Sequence, residues 1–286
     1  MMSMKEVLLP NGAKIPPIGQ GTWFLAERRS RLDEECDSIK EGIALGMNLI
    51  DTAEMYGSGR AERLVGRAVQ DFPREGLFLV SKVYPHNAGR KNIFNSCEAS
   101  LRRLKTDYLD LYLLHWRGNI PLSETVECLE QLKNEGKIRA WGVSNFDTED
   151  MQELWNTPNG QNCMVNQVLY NLATRGIEYD LLPWQRAHHM PIMAYCPLAQ
   201  GGYFDRTLYR HPALLKIAAH HGATVAQVLL AFVIRNGDIV AIPKAAHRAH
   251  VQENAAAGQL VLNDEDLAEL DKAFPAPKEK VPLAIV

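Results

Sequence analysis

Cysteine is scarce in this chain and has no pattern. The 286 residues hold five, Cys36, Cys97, Cys128, Cys163 and Cys196, an odd number with no Cys-x-x-Cys pair. That spacing excludes a disulfide framework and a cysteine metal knuckle, and the five are read as reduced thiols of a cytosolic protein. The opening residues, M-M-S-M-K-E-V-L-L-P, lack the long apolar segment of a signal peptide. No later run is apolar and long enough to span a bilayer. An excess of one charge is missing too: 31 Lys and Arg stand against 34 Asp and Glu, a net charge of −3. Neither a basic stripe for nucleic acid nor a charged interaction tail is present. No stretch rich in Pro, Gly and Ser marks a linker, so residues 1–286 are expected to form one domain. The dinucleotide fingerprint G-x-G-x-x-G is also absent. Ile18-Gly19-Gln20-Gly21-Thr22-Trp23 lacks the third glycine and runs into no immediate helix, and Gly57-Ser58-Gly59-Arg60-Ala61-Glu62 lacks it as well.

What the chain does have is alternation. Short extended runs at 5–10 and 14–17 flank Asn11-Gly12, a strong hairpin signal. Strands are then expected at 18–21, 48–51, 77–82, 110–115, 138–143, 163–166, 192–195 and 239–242. Helical patterns separate them at 32–45, 61–69, 91–104, 123–134, 148–155 and 179–188. Two more, at 212–220 and 225–235, precede the last strand, and 249–256 and a helix beginning at Asp264 follow it. Ser123 and Thr224 are expected N-caps; Gly46 and Gly136 are stops. The last residues show no period. Strands alternating with helices call for a parallel sheet. Eight such units in one domain of this length favour a closed (β/α)8 TIM barrel, here with an N-terminal β-hairpin and an extra C-terminal helix.

In such a barrel the chemistry lies at the C-terminal ends of the strands. The first strand ends on Gly21, Thr22 and Trp23, the second on Asp51, the third on Lys82, and the fourth on His115 with Trp116. The fifth gives Ser144 and Asn145, the sixth Asn166 and Gln167, the seventh Tyr195, the eighth Lys244. Lys82 and His115 close apolar strands, and burying an unpaired charge is costly, so partners are required. Tyr56 lies five residues beyond Asp51. Asp51, Tyr56, Lys82 and His115 together make a proton donor for a ketone or aldehyde. A lysine ammonium favours the phenolate, an aspartate holds the lysine charged, and a neutral imidazole hydrogen-bonds the carbonyl oxygen. A hydride must come from elsewhere, and nicotinamide is the obvious source. Ser144, Asn145 and Gln167 are candidates to hold its carboxamide, and Tyr195 to stack on its ring. Trp23, Tyr84 and Trp116 follow strands and are candidate walls of a substrate pocket.

Blander readings compete. Asp51 and Lys82 alone would be a structural ion pair. The adjacent pairs His188-His189 and His220-His221 point in different directions on a helix, and no His-x-x-x-His or clustered carboxylate completes a metal site, so they are read as solvated surface. Gly57-Ser58-Gly59 is read as a flexible loop behind Tyr56, and Cys196 as a packing residue.

Several long motifs in order resemble the aldo-keto reductase family over nearly the whole chain. They are G-M-N-L-I-D-T-A-E-M-Y-G-S-G-R-A-E, L-D-L-Y-L-L-H-W, G-K-I-R-A-W-G-V-S-N-F, V-N-Q-V, A-Y-C-P-L-A-Q-G and A-I-P-K-A-A. L-L-P-W-Q and M-P-I-M-A-Y-C-P-L-A-Q are similar to enterobacterial methylglyoxal reductases of that family. The resemblance implies a catalytic tetrad of Asp51, Tyr56, Lys82 and His115 and NADPH as cofactor. It implies nicotinamide contacts from Ser144, Asn145, Gln167 and Tyr195, with Gly21, Thr22, Trp23, Asp51, Pro197, Leu198 and Gln200 also lining the cofactor. It implies phosphate and adenosine contacts from Lys244, Ala245, His250, Glu253 and Asn254. Ala245 stands where the family often has Ser, and His250 where Arg is usual. The loop after His115 and the segment after the last helix are short, so an open, modest pocket for small carbonyls is expected. No metal, protein partner, nucleic acid or membrane is expected. Two other functions use the same residues: an NADPH-binding redox sensor without turnover, and a lyase working through a Lys82 Schiff base.

Overall fold

The computed structural model describes residues 6–199 and 207–286. Gln200, one of the expected cofactor contacts, lies outside the described residues. Strands β1 (Val7–Leu8) and β2 (Lys14–Ile15) pair antiparallel around the turn at Gly12, whose φ of +84° is the left-handed region a glycine enters without cost. Eight parallel strands follow: β3 (Gln20–Gly21), β4 (Leu49–Asp51), β5 (Phe78–Val83), β6 (Leu109–Leu114), β7 (Ile138–Ser144), β8 (Asn166–Leu169), β9 (Ile192–Tyr195) and β10 (Ile239–Ala241). Each pairs with the next in sequence. The last meets the first through parallel bridges from Ile18 to Ala241 and from Gly21 to Lys244, which closes the sheet into a barrel. Gly21 permits that closure, because a Cβ there would sit 2.7 Å from the Ile242 carbonyl oxygen.

Helices α1 (Leu32–Ala44), α2 (Arg60–Ala68), α3 (Ile93–Leu104), α4 (Leu122–Asn134), α5 (Thr148–Asn156) and α6 (Leu181–Ala187) form the outer layer. They are joined by α7 (Pro212–His220), α8 (Val225–Ile234), α9 (Arg248–Ala257) and α10 (Asp264–Ala273). The (β/α)8 barrel with its leading hairpin and extra final helix is thus the architecture expected from alternation. Helix ends follow local chemistry: Asp147, Thr224 and Asn263 each form a capping box with the residue three positions on.

Two details differ from expectation. Pro121, not Ser123, precedes α4; proline's fixed φ suits a helix start, and Ser123 becomes an exposed first-turn residue. The sixth barrel strand is 166–169 rather than 163–166. Residues 163–165 are a lead-in tied to β7 by bonds from Met164 N to Trp141 O and from Val143 N to Val165 O.

Two apolar cores result. One fills the space between barrel and helices. The other fills the barrel itself, with Leu49, Val80, Leu111, Leu113, Ala140, Val165, Met193 and Val240, and includes Val7, Leu9 and Ile15 of the hairpin. The hairpin therefore plugs one end of the barrel. The other end is left for polar residues.

Candidate active site

Strand side chains alternate sides, so the residue two beyond the last interior position lands on the next layer up. Leu49 gives Asp51, Val80 gives Lys82, Leu113 gives His115, Gly142 gives Ser144, Val165 gives Gln167, Met193 gives Tyr195, and Ile242 gives Lys244. All but Lys82 line one cavity of about 1050 Å³ at the open end of the barrel. Tyr56 joins them from the loop after β4. That loop is a tight left-handed turn rather than a flexible one: Gly57, Ser58 and Gly59 have φ of 56°, 55° and 81°. A Cβ on Gly59 would lie 2.6 Å from Arg103, so the turn packs directly on α3.

Lys82 is 0% exposed and its ammonium has three acceptors: Asp51 Oδ2 at 2.6 Å, Thr52 O at 2.9 Å and Tyr56 Oη at 3.1 Å. These match the three donors of a charged amine. Burial pulls Lys82 below its ordinary pKa, while Asp51 opposes it. The second Asp51 oxygen accepts from Gln167 Nε2 at 2.8 Å. Burial and the Asp51 carboxylate push the Tyr56 phenol well above its usual pKa. The net direction is opposite to the lowering expected from Lys82, and it leaves Tyr56 holding its proton. His115 sits edge-on to Tyr56 at 5.7 Å, 8% exposed, and burial followed by repulsion from Lys82 lowers its pKa to about 2. It is neutral at any ordinary pH. Its Nδ1 is buried with no hydrogen-bond partner among the described residues. An orphaned lone pair is less costly than an orphaned N–H, so the proton belongs on Nε2.

One wall is a polar relay. Tyr195 Oη donates to Asn145 Oδ1 at 2.8 Å, and Asn145 Nδ2 donates to His115 O at 3.1 Å. Ser144 Oγ donates to Gln167 O at 2.8 Å. Asn145 and Cys196 hold φ of 58° and 49°, unusual for residues with a Cβ and concentrated at this rim. Trp23, Phe24 and Trp116 line the opposite side, where Trp23 stacks on Phe24 at 4.4 Å.

Other expected residues fall as follows. Gly21, Thr22, Pro197 and Leu198 line the cavity. Tyr84 does not; it packs edge-on behind Trp116 at 5.7 Å, so it supports the wall rather than forming it. Lys244 is an exposed lining residue with no ion pair among the described residues. Ala245 and buried Asn254 meet in a small adjoining cleft. Glu253 is half-buried on α9, its backbone oxygen accepting from Gln227, and does not line the main cavity. His250, exposed on α9, packs against His247 and does not reach the cavity either. Arg248 is turned the other way, onto Glu41 at 2.6 Å. No period or motif pointed to Ile285 and Val286. The aperiodic tail runs back to the cavity, lines it with both, and brings the Val286 backbone N–H to the Tyr195 oxygen. Arg175 holds the start of this tail through Asp271 and Phe274 O, and Lys280 holds its middle through Glu149 at 3.0 Å. A short tail thus reaches the pocket that an open mouth was expected to leave bare.

The model of the aldo/keto reductase family matches residues 17–274. The chain belongs to the aldo/keto reductase family. Among members, the chain is 53% identical to methylglyoxal reductase YeaE of Escherichia coli K12 over 285 residues, with all of both chains covered. It is 36% identical to the glyoxal reductase of Bacillus subtilis 168 over 272 residues, covering 94% of this chain and 93% of that one. A crystal structure of an aldo/keto reductase from Klebsiella pneumoniae in complex with NADP and acetate superposes with a TM-score of 0.96. It is 54% identical and covers 99% of this chain and 100% of that one. In this member of the family, the Schiff-base reading of Lys82 fails on geometry. Its nitrogen is walled off from the cavity and has all three donors engaged, so no lone pair faces a substrate.

Proposed function

We propose that this chain is an NADPH-dependent reductase of small aldehydes and dicarbonyls, with methylglyoxal the reference substrate and Tyr56 the proton donor. The observation that carries it is the Tyr56 hydroxyl 3.1 Å from a lysine itself bonded to Asp51 at 2.6 Å, beside a neutral histidine on a cavity floor. The surroundings fit a nicotinamide nucleotide. Gln167 commits its N–H to Asp51 and has no partner for its amide oxygen among the described residues, leaving an acceptor for a carboxamide. Tyr195 offers a ring face, and Lys244 a cation for phosphate. The names of the relatives above agree. Bound there, NADPH would supply the hydride.

The chain's own part is to place the carbonyl and deliver a proton. His115 Nε2–H hydrogen-bonds the carbonyl oxygen and orients it toward Tyr56. The Tyr56 hydroxyl would give its proton to that oxygen as the carbonyl is reduced, and Lys82 would stabilise the phenolate left behind. Trp23, Phe24 and Trp116 give the cavity an apolar wall beside the reacting centre. A dicarbonyl is electron-poor at the reacting carbon and needs less help from a weak acid, so it ranks above simple ketones. Four of the five free cysteines are buried, and the fifth is partly so, in keeping with reduced thiols of a cytoplasmic enzyme.

The test is loss of NADPH absorbance across a carbonyl panel. Methylglyoxal should exceed bulky steroids in kcat/KM; the reverse order refutes the substrate assignment. Binding of NADPH without turnover of any carbonyl would instead make the protein a redox sensor.

A further inference from the structure

His220 and His221 are not the solvated pair their adjacency implies. Helix α7 ends between them: His221 is its C-cap, at φ −90° and ψ 0°, and Gly222 at φ +58° turns the chain away. That break swings both rings toward one residue of another helix. Asp266, in the first turn of α10 and 5% exposed, accepts from His221 Nε2 at 2.7 Å, and its other oxygen lies 3.8 Å from His220 Nδ1. The two nitrogens and the carboxylate all lie within 4.8 Å of one another. No signal in the sequence joins the aspartate to the histidines, because it lies 45 residues further on. Neither histidine lines the catalytic cavity.

We propose that His220, His221 and Asp266 form a divalent transition-metal site of the zinc class on the outer wall of the barrel, clamping α7 to α10. Zinc takes imidazole nitrogen at about 2.0–2.1 Å and carboxylate oxygen at about 2.0–2.2 Å, so two ligand atoms on one tetrahedral ion stand roughly 3.4 Å apart. The observed separations of 2.7 and 3.8 Å bracket that value, and small rotations of the two rings reach it. Calcium and magnesium call for oxygen donors and several of them, and two imidazoles with one carboxylate select against both. The fourth position is open to water, since His220 is exposed. The carboxylate is prepared for the role. It is held in place by the bonds that its Oδ2 accepts from His221 and from the Asn263 backbone N–H. Asp266 keeps the Asn263 bond when the metal replaces the proton between His221 and its oxygen, so the helix cap survives. Lys216 and Glu269, paired at 2.6 Å, already tie the same two helices and limit how far the site can spread.

The experiment uses the full chain, freed of metal by chelator and then titrated with zinc chloride by calorimetry. One equivalent should bind, and the thermal midpoint should rise with zinc. Cobalt(II) in its place should give the visible absorption of a low-coordinate nitrogen–oxygen site. His221→Ala and, separately, His220→Ala should weaken zinc at least about tenfold, in line with losing a metal contact. His220 is largely exposed, so His220→Ala tests the site in a chain whose packing is intact. Absence of zinc uptake by the wild type overturns the proposal. So does uptake that both variants retain unchanged, which would place the ion elsewhere.

Discussion

His115 and Tyr56 show how one buried residue sets a pH dependence. The His115 pKa falls from its ordinary value to about 2 in the native state. The unfolded chain therefore takes up a proton below about pH 6.5 that the native chain refuses, and stability falls as pH drops from there. The slope from this residue is about 1.4 kcal/mol per pH unit. Urea midpoints at pH 7, 6 and 5 should fall less steeply in His115→Gln than in wild type; parallel slopes would mean the imidazole is charged in the fold. Tyr56 behaves oppositely. With its pKa raised well above the usual phenol value, it keeps its proton, and kcat for reduction should be flat from about pH 6 to 9. Tyr56→Phe should lower kcat by several orders of magnitude and leave NADPH affinity within a few-fold. The shape stays and only the donor is lost; near-normal turnover would exclude Tyr56 as the acid. His115 was legible in the sequence because it follows the interior strand residue Leu113 by two positions, and Tyr56 because it lies in the loop just beyond the strand end at Asp51. The direction of the Tyr56 shift was not, because burial depends on the loop packed above the ring.

At the scale of elements, regular helices and strands were readable from their periods, and of the two expected caps Thr224 holds its helix while Ser123 gives way to Pro121; the caps at Asp147 and Asn263 emerge only in the fold. The tail was not. It makes no repeating bonds, and it is held by single anchors, Arg175 and Lys280, whose partners lie far off in sequence. Deleting residues 282–286 should raise KM for small aldehydes and leave the thermal midpoint nearly unchanged. The removed residues wall the cavity, but the anchors lie before them. An unchanged KM would show that Ile285 and Val286 contribute nothing to substrate binding. The hairpin plug works the other way. Ile15 is 1% exposed inside the barrel end, so Ile15→Ala should cost about 2–5 kcal/mol. Chemical denaturation reads that loss directly, with kcat/KM of the folded fraction unaltered.

For the molecule as a whole, the barrel is closed by its thinnest part. β3 has two residues and meets β10 only through bridges, whereas β5 and β6 share a long register. Amide hydrogen exchange should therefore be faster at Gly19, Gly21 and Ala241 than along β5 and β6; equal protection would mean that the barrel opens only as one unit. The interior also has a division along its axis: hydrocarbon from the hairpin plug upward, then one layer of polar groups, then loops and tail. Heritable variation meets two separate targets here. A change below the polar layer alters whether the chain folds, and a change in the loops above it alters what the folded chain accepts. Because so few side chains belong to both, lineages carrying this barrel can drift in diet without being tested each time for survival of the fold.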